Sequence, residues 1–187
     1  MLNFRKYPHS GFTLLELLVV VLIIGILAGI ALPQYKMAVD KTEFTKLRSL
    51  AKTLADAYQR FYMVNNRYPY DFESLDVSLP DGYIKKYISN ISASCEIIND
   101  FYCCMAPQKT GQDSTVTCGK NNYKFGIWLS YPESSQNMYC VAEKNDIRSE
   151  ALCKHISGKT SNNGCTGFLT PEGFKGGHCF YSINKAL

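Results

Sequence analysis

Apolar residues fill positions 12–32 almost without interruption, and Glu16 is the single charge among these twenty-one residues. A hydrocarbon core of roughly 30 Å is crossed by about 20 apolar residues at ~1.5 Å rise each, so the run predicts a helix able to span a membrane. From Gln34 the apolar positions thin to one stripe: Tyr35, Val39, Leu47, Leu50, Leu54, Ala57, Tyr58 and Phe61. Lys41, Glu43, Lys46, Arg48, Lys52, Asp56 and Arg60 fill the positions between. From Leu47 onward the steps are mainly of three and four, the spacing of a helix with one buried face. Together the two segments predict one helix from about Thr13 to about Val64, near 75 Å long at ~1.5 Å per residue. Asn65-Asn66 ends it, and Tyr68-Pro69 forces an extended exit, because a residue before proline is excluded from helical backbone angles.

Beyond the helix the period changes. Ser94 to Asp100 reads as a strand, and Tyr123-Lys124-Phe125-Gly126-Ile127-Trp128-Leu129-Ser130-Tyr131 is the strongest strand signal, aromatic and β-branched with partial alternation. Residues 138–143 and 179–183 are further strands, 144–149 a polar loop, and 150–157 a short helix. Turn signals stand at Leu79-Pro80-Asp81-Gly82, Ala106-Pro107 and Cys118-Gly119, and 157–164 and 171–177 read as Gly/Asn/Ser-rich loops. Strands this close in sequence favour an antiparallel sheet. The expected fold is therefore α+β: a long N-terminal helix, its second half laid on an antiparallel β-sheet head with disulfide-bonded loops. The expected divisions are 1–11, 12–33, 34–64 and 65–187: leader, apolar helix segment, amphipathic helix half and head.

All eight cysteines follow residue 90: Cys95, Cys103, Cys104, Cys118, Cys140, Cys153, Cys165 and Cys179. An even number confined to one small region indicates disulfides formed in an oxidising compartment. Successive separations of 8, 1, 14, 22, 13, 12 and 14 contain no Cys-x2-Cys pair, which disfavours zinc. His178 beside Cys179 and His155 near Cys153 raise a Cys–His dyad, but sequence neighbours rarely build one. Eight cysteines allow 105 pairings. Cys140–Cys153 and Cys165–Cys179 are favoured, since each joins a strand end to a nearby loop or helix. Cys103 and Cys104 are expected to take different partners.

The N-terminal ten residues hold Arg5 and Lys6 and no acid. Positive charge on that side keeps it cytoplasmic and sends the remainder outward. A secretory signal peptide fits badly, because its apolar region is about 7–15 residues and is followed by a small-residue cleavage site. Glu16 inside the apolar run costs roughly 2.5–3.5 kcal/mol in lipid, which calls for a partner or a purpose. Gly25, Gly29 and Pro33 stand four apart, a spacing that permits close helix approach and lowers local helix propensity.

Gly11-Phe12-Thr13-Leu14-Leu15-Glu16, the apolar run and the Ala31-Leu32-Pro33-Gln34-Tyr35 exit resemble the N-terminus of type IV prepilins and of the related type II secretion pseudopilins. The likeness is close over about the first 60 residues, with a weaker echo through Tyr62-Met63-Val64-Asn65-Asn66-Arg67-Tyr68-Pro69. The resemblance implies cleavage after Gly11 by a prepilin peptidase and an N-methylated Phe12. It also implies a role for Glu16 in assembly and flexibility of the helix around Gly25, Gly29 and Pro33. Expected partners are further copies of the chain in a filament, the peptidase, an inner-membrane assembly platform and, before assembly, lipid.

With leader removed, 18 basic residues face 16 acidic ones, too even a balance to imply a nucleic-acid partner. The chain has no Gly-x-x-x-x-Gly-Lys loop, and neither metal nor cofactor is expected. A pilus subunit is the leading expectation and a secretion pseudopilin the second. An uncut, membrane-anchored binding module is the third, while the head shows no constellation that would make it an enzyme.

Overall fold

A computed structural model describes residues 11–77, 82–89, 92–98, 100–106, 114–120, 125–131 and 137–183. The leader residues 1–10, the turn at Leu79-Pro80-Asp81, Pro107 and the Tyr123-Lys124 start of the strongest strand lie outside the described residues. The chain divides into two units, Met1–Val39 and Asp40–Leu187.

Helix α1 runs Leu14–Asn65 and is helical through Gly25, Gly29 and Pro33. Pro33 lacks the N–H that would reach the Gly29 carbonyl one turn back, so the ladder is interrupted at those two residues. Within the second unit, α1 buries Asp40, Phe44, Leu47, Ala51, Leu54, Ala55, Ala57 and Tyr58. The apolar part of the buried stripe thus begins at Phe44, after Asp40, and includes Ala51 and Ala55. Leu50 and Phe61, expected on it, are half-buried at its margins, and Tyr35 is exposed. Steps of three and four drift around a 3.6-residue helix, so the buried line takes in Ala51 and Ala55 as well as the larger residues.

Eight antiparallel strands follow: β1 (Ile84–Ile88), β2 (Ala93–Ile98), β3 (Phe101–Ala106), β4 (Ser114–Lys120), β5 (Phe125–Tyr131), β6 (Asn137–Glu143), β7 (Cys165–Thr170) and β8 (Gly173–Ile183). Their order in the sheet is β1-β2-β3-β4-β5-β6-β8-β7, a meander whose last hairpin is turned so that β8 pairs with β6. Between β6 and β7, helix α2 (Ile147–Ser157) packs on β6 and β8. It starts three residues earlier than the pattern suggested, because Asp146 caps it by accepting from the Ser149 N–H at 3.2 Å. The expected loop at 171–177 is instead a tight turn and the start of β8: Thr170 pairs with Gly173, and the register shifts between Thr166 and Phe168. Gly173 and Gly177, at φ of 103° and 79°, give the backbone angles that this hairpin and bulge demand.

Strand alternation gives the sheet two apolar faces. On one face lie Ser114, Val116, Cys118 and Lys120 of β4, with Leu129 and Ile127 of β5 in register beside Val116 and Cys118. Ser114 and Lys120 reach α1, so this is the face that covers the helix stripe. The other face carries a second core of Ile88, Ala93, Cys95, Tyr102, Cys104, Val141, Phe168, Leu169 and Phe180. The sheet curls far enough for β7 to lie over β3 and β4. Thr117 Oγ1 donates to the Leu169 carbonyl at 3.1 Å, and the Tyr102 and Phe168 rings stand 6.4 Å apart. Gly126 makes that curl possible, since a Cβ there would meet the Cys118 carbonyl and the Phe168 ring at 2.7 Å.

Candidate processing and assembly segment

Gly11 precedes the helix in an open position, where a Cβ would meet nothing within 4 Å. Phe12 follows, 72% exposed. Thr13 caps α1, and Glu16 closes a reciprocal box with it. The Thr13 N–H donates to Glu16 Oε2 at 2.8 Å, the Thr13 hydroxyl to the same oxygen at 2.7 Å, and the Glu16 N–H to Thr13 Oγ1 at 3.2 Å. The sequence reading missed this second role of Glu16. The signal was available, since Thr-x-x-Glu before an apolar run is the pattern of a capping box. The carboxylate also lies in the first turn, where the helix dipole favours negative charge. Both contacts from Thr13 use Oε2, and among the described residues no hydrogen bond occupies Oε1.

Every side chain from Phe12 to Leu32 is exposed in the isolated chain, an apolar surface that water tolerates poorly. Helix α1 contains a stretch long and apolar enough to cross a membrane, none of it buried in the protein. Gly25 and Gly29 are open, with nothing within 4 Å of an added Cβ, so another helix could approach the backbone there.

In the second unit, charged and hydroxyl groups hold α1 in place. Asp40 is buried and takes both Nε and Nη2 of Arg148 on α2, the latter at 2.7 Å. Glu43 Oε2 accepts from Lys120 Nζ of β4 at 2.7 Å, with both side chains about a quarter exposed. The Tyr58 hydroxyl hydrogen-bonds Ser114 Oγ and donates to the Ala106 carbonyl at 3.2 Å, and burial pushes its phenol well above the ordinary range. Tyr68, after the helix, stacks on Tyr58 at 4.8 Å and on Tyr62 at 4.5 Å, closing the end of the stripe.

Four disulfides join Cys95 to Cys104, Cys103 to Cys118, Cys140 to Cys153 and Cys165 to Cys179. Three bridge directly opposed residues on neighbouring strands, and Cys140–Cys153 fastens α2 to β6. Cys153 and Cys179 are bridged, so neither offers a thiol to His155 or His178. His155 instead lies 3.0 Å from Lys41 Nζ, and His178 packs on Phe168. Among the described residues no cluster of three or more His, Cys, Asp or Glu side chains could hold a metal.

The prokaryotic N-terminal methylation motif matches residues 7–32. A type IV major pilin protein PilE1 of Neisseria gonorrhoeae is 32% identical over 155 residues, 82% of this chain and 81% of that protein. The fimbrial protein of Neisseria meningitidis serogroup A is 25% identical over 74% of this chain and 77% of its own length. The type II secretion system core protein G of Pseudomonas aeruginosa is 36% identical over 44% of this chain and 67% of its own length. No solved structure matches the chain. With an exposed apolar helix, a curled antiparallel sheet and these relatives, the chain belongs to the type IV pilin and pseudopilin family.

Proposed function

We propose that the chain is a structural subunit of a type IV pilus, made as a single-pass inner-membrane precursor and polymerised through α1. The observation that carries this reading is the reach of the similarity. Likeness to a major pilin extends over 82% of the chain, well into the head, whereas likeness to the secretion core protein G extends over 44%. A head with four disulfides suits a filament exposed outside the cell, where covalent staples resist unfolding.

The chemistry follows from the N-terminus. A prepilin peptidase cuts between Gly11 and Phe12, and the absence of a side chain at Gly11 lets it grip that bond at the membrane surface. Cleavage frees the Phe12 amine, which is then N-methylated and remains a cation. In the filament core Glu16 of an incoming subunit pairs with the Phe12 amine of its neighbour. Oε1 takes the amine while Oε2 keeps the Thr13 cap, so pairing need not unwind the first turn. Leaving one partner of a buried pair alone costs about 3–5 kcal/mol, which rejects a subunit inserted out of register. The apolar face leaves lipid for the faces of other copies, and the interrupted ladder at Gly29 and Pro33 lets α1 bend as it is extracted by an inner-membrane platform.

The second reading, a secretion pseudopilin, is favoured by the 36% identity to core protein G, above that to the pilins. Filaments sheared from the surface of the source cell separate the two. A pilus subunit is abundant in the sheared fraction. A pseudopilin is missing from it, stays with the envelope, and its deletion stops export of secreted enzymes.

A further inference from the structure

A cavity of about 460 Å³ opens beside the 3₁₀ turn Phe72–Ser74, over the ends of β1 and β2. Phe72 and Tyr83 give it an aromatic wall, Leu75 and Val77 an aliphatic one, and Glu73, Asp76 and Glu96 contribute carboxylates. Its volume is in the range of small-ligand pockets. Two of the three carboxylates are satisfied. Asp76 is held by Arg60 through two hydrogen bonds of 2.7 Å, and Glu73 takes the Lys85 ammonium. Glu96 is only 3% exposed, and among the described residues no hydrogen bond reaches its carboxylate, whose oxygens keep their remaining contact with the cavity. Lys85 stands opposite it across β1 and β2, but its ammonium is engaged by Glu73. Three acids thus share two cations, and Glu96, the most buried of the three, has Lys85 as a charged neighbour but no hydrogen bond from it.

We propose that this cavity is a binding site for a primary alkylammonium group, with Glu96 as counter-ion and Phe72 and Tyr83 as the aromatic wall. A largely buried carboxylate that only cavity water can hydrogen-bond is poorly solvated, and an ammonium that hydrogen-bonds to it relieves that cost. The walls show the chemistry already, since Lys85 Nζ lies 5.7 Å from the Tyr83 ring centre, within cation–π range. Aliphatic Leu75 and Val77 suit the carbon chain behind the charge. A divalent metal ion fits less well, because it would need several converging oxygens and the described residues contain no such cluster.

Until the ligand arrives a proton does its work. Burial, with the Glu73 charge adding to it and Lys85 opposing it, pushes the Glu96 carboxyl up to about 7. The charged and titratable groups around it are Glu73 and Asp76 from the 3₁₀ turn and the residues after it, Tyr83 just before β1, Lys85 from β1 and Arg60 from α1. Ammonium and proton compete for one carboxylate, so binding strengthens as pH rises through 7, and below pH 7 binding releases the proton that Glu96 holds.

The test uses the full chain in detergent micelles and follows the assigned ring signals of Phe72 and Tyr83 by NMR. n-Butylammonium chloride probes a free amine, and N-acetyl-lysine methylamide probes a lysine side chain. Saturable shifts with n-butylammonium alone assign the site to free amines, and shifts with both extend it to lysine side chains; either supports the site. At pH 5.5 binding should be at least roughly tenfold weaker than at pH 8, and Glu96→Gln should lose as much at pH 8 while keeping its fold. The proposal is overturned if neither amine binds at pH 8. Equal shifts with neutral n-butanol, or binding unchanged in Glu96→Gln, would also overturn it, as would shifts with calcium chloride but not with the amines.

Discussion

Cys103 and Cys118 stand opposite each other on β3 and β4, their Cα atoms 4.1 Å apart and their sulfurs bridged, while the next residue, Cys104, crosses to Cys95 on β2. Neighbours in a strand point to opposite faces, so these adjacent cysteines serve different cores. Cys104 and Cys95 lie within the core of the curl, and Cys103 and Cys118 lie on the face toward α1. Peptide mapping of the unreduced protein is therefore expected to recover Cys95–Cys104, Cys103–Cys118, Cys140–Cys153 and Cys165–Cys179. Each bridge closes a loop of roughly 15 residues or fewer, worth up to about 3 kcal/mol in the chain-entropy model. A peptide linking Cys118 to Cys140, or free thiols in mature protein, would contradict the assignment.

Leu54 is buried on the helix stripe and Lys52 points to solvent. Leu54→Ala should cost about 2–5 kcal/mol through lost transfer energy and the cavity left behind. Lys52→Ala should cost under ~0.5 kcal/mol. Chemical denaturation of the full chain in detergent measures both, and equal losses would mean that the sheet does not cover this face.

The unequal legibility of the chain has physical causes. The long helix could be read because its apolar run and stripe extend over some fifty residues and no other element produces that pattern. Strand β6 could be read from its hydrophobic residues. Strands β3 and β4 could not: Phe101-Tyr102-Cys103-Cys104-Met105 and Ser114-Thr115-Val116-Thr117-Cys118 are buried on both faces and so do not alternate. The start of β8 hid behind Gly173, Gly176 and Gly177, which read as a loop although they shape a bulged hairpin. Phe44 lies three residues before Leu47, in step with the stripe, but charged Lys41, Glu43 and Lys46 surround it in sequence, and only its burial marks it as part of that face. The Asp40–Arg148 and Glu43–Lys120 pairs join residues 108 and 77 positions apart, a proximity that only the folded topology provides.

Stability should carry a pH signature from Glu96. Its carboxyl is raised from 4.5 to about 7, so the native state binds the proton more tightly than the unfolded chain. The resulting stabilisation is complete below pH 4.5 and is lost as pH rises to about 7. Glu96→Gln cannot titrate, so its stability relative to the wild type should increase between pH 4.5 and 7.5. Denaturation midpoints at those two pH values give the comparison, and a difference that does not change with pH would show that Glu96 is not held in its neutral form.

Two substitutions at Glu16 separate its charge from its cap. Glu16→Leu removes both and should insert into the membrane normally, yet enter filaments poorly. Glu16→Gln keeps an oxygen for the Thr13 donors but cannot form an ion pair with an amine. Quantitative blotting of sheared filaments against membrane pools should find both variants depleted. Normal incorporation of the Gln variant would leave only the cap as the function of Glu16.

Loss of the leader is the proposed step by which this chain becomes a polymer subunit. Intact-mass and N-terminal analysis of the protein taken from sheared filaments tests it most directly. The expected species begins at Phe12, carries one methyl group on its amine and retains four disulfides, while a Gly11→Leu variant stays in the membrane with its leader attached. A chain that keeps residues 1–11 in the filament, or Gly11→Leu protein that yields Phe12 at the normal level, would rule out cleavage at Gly11 as the step that admits it to the filament.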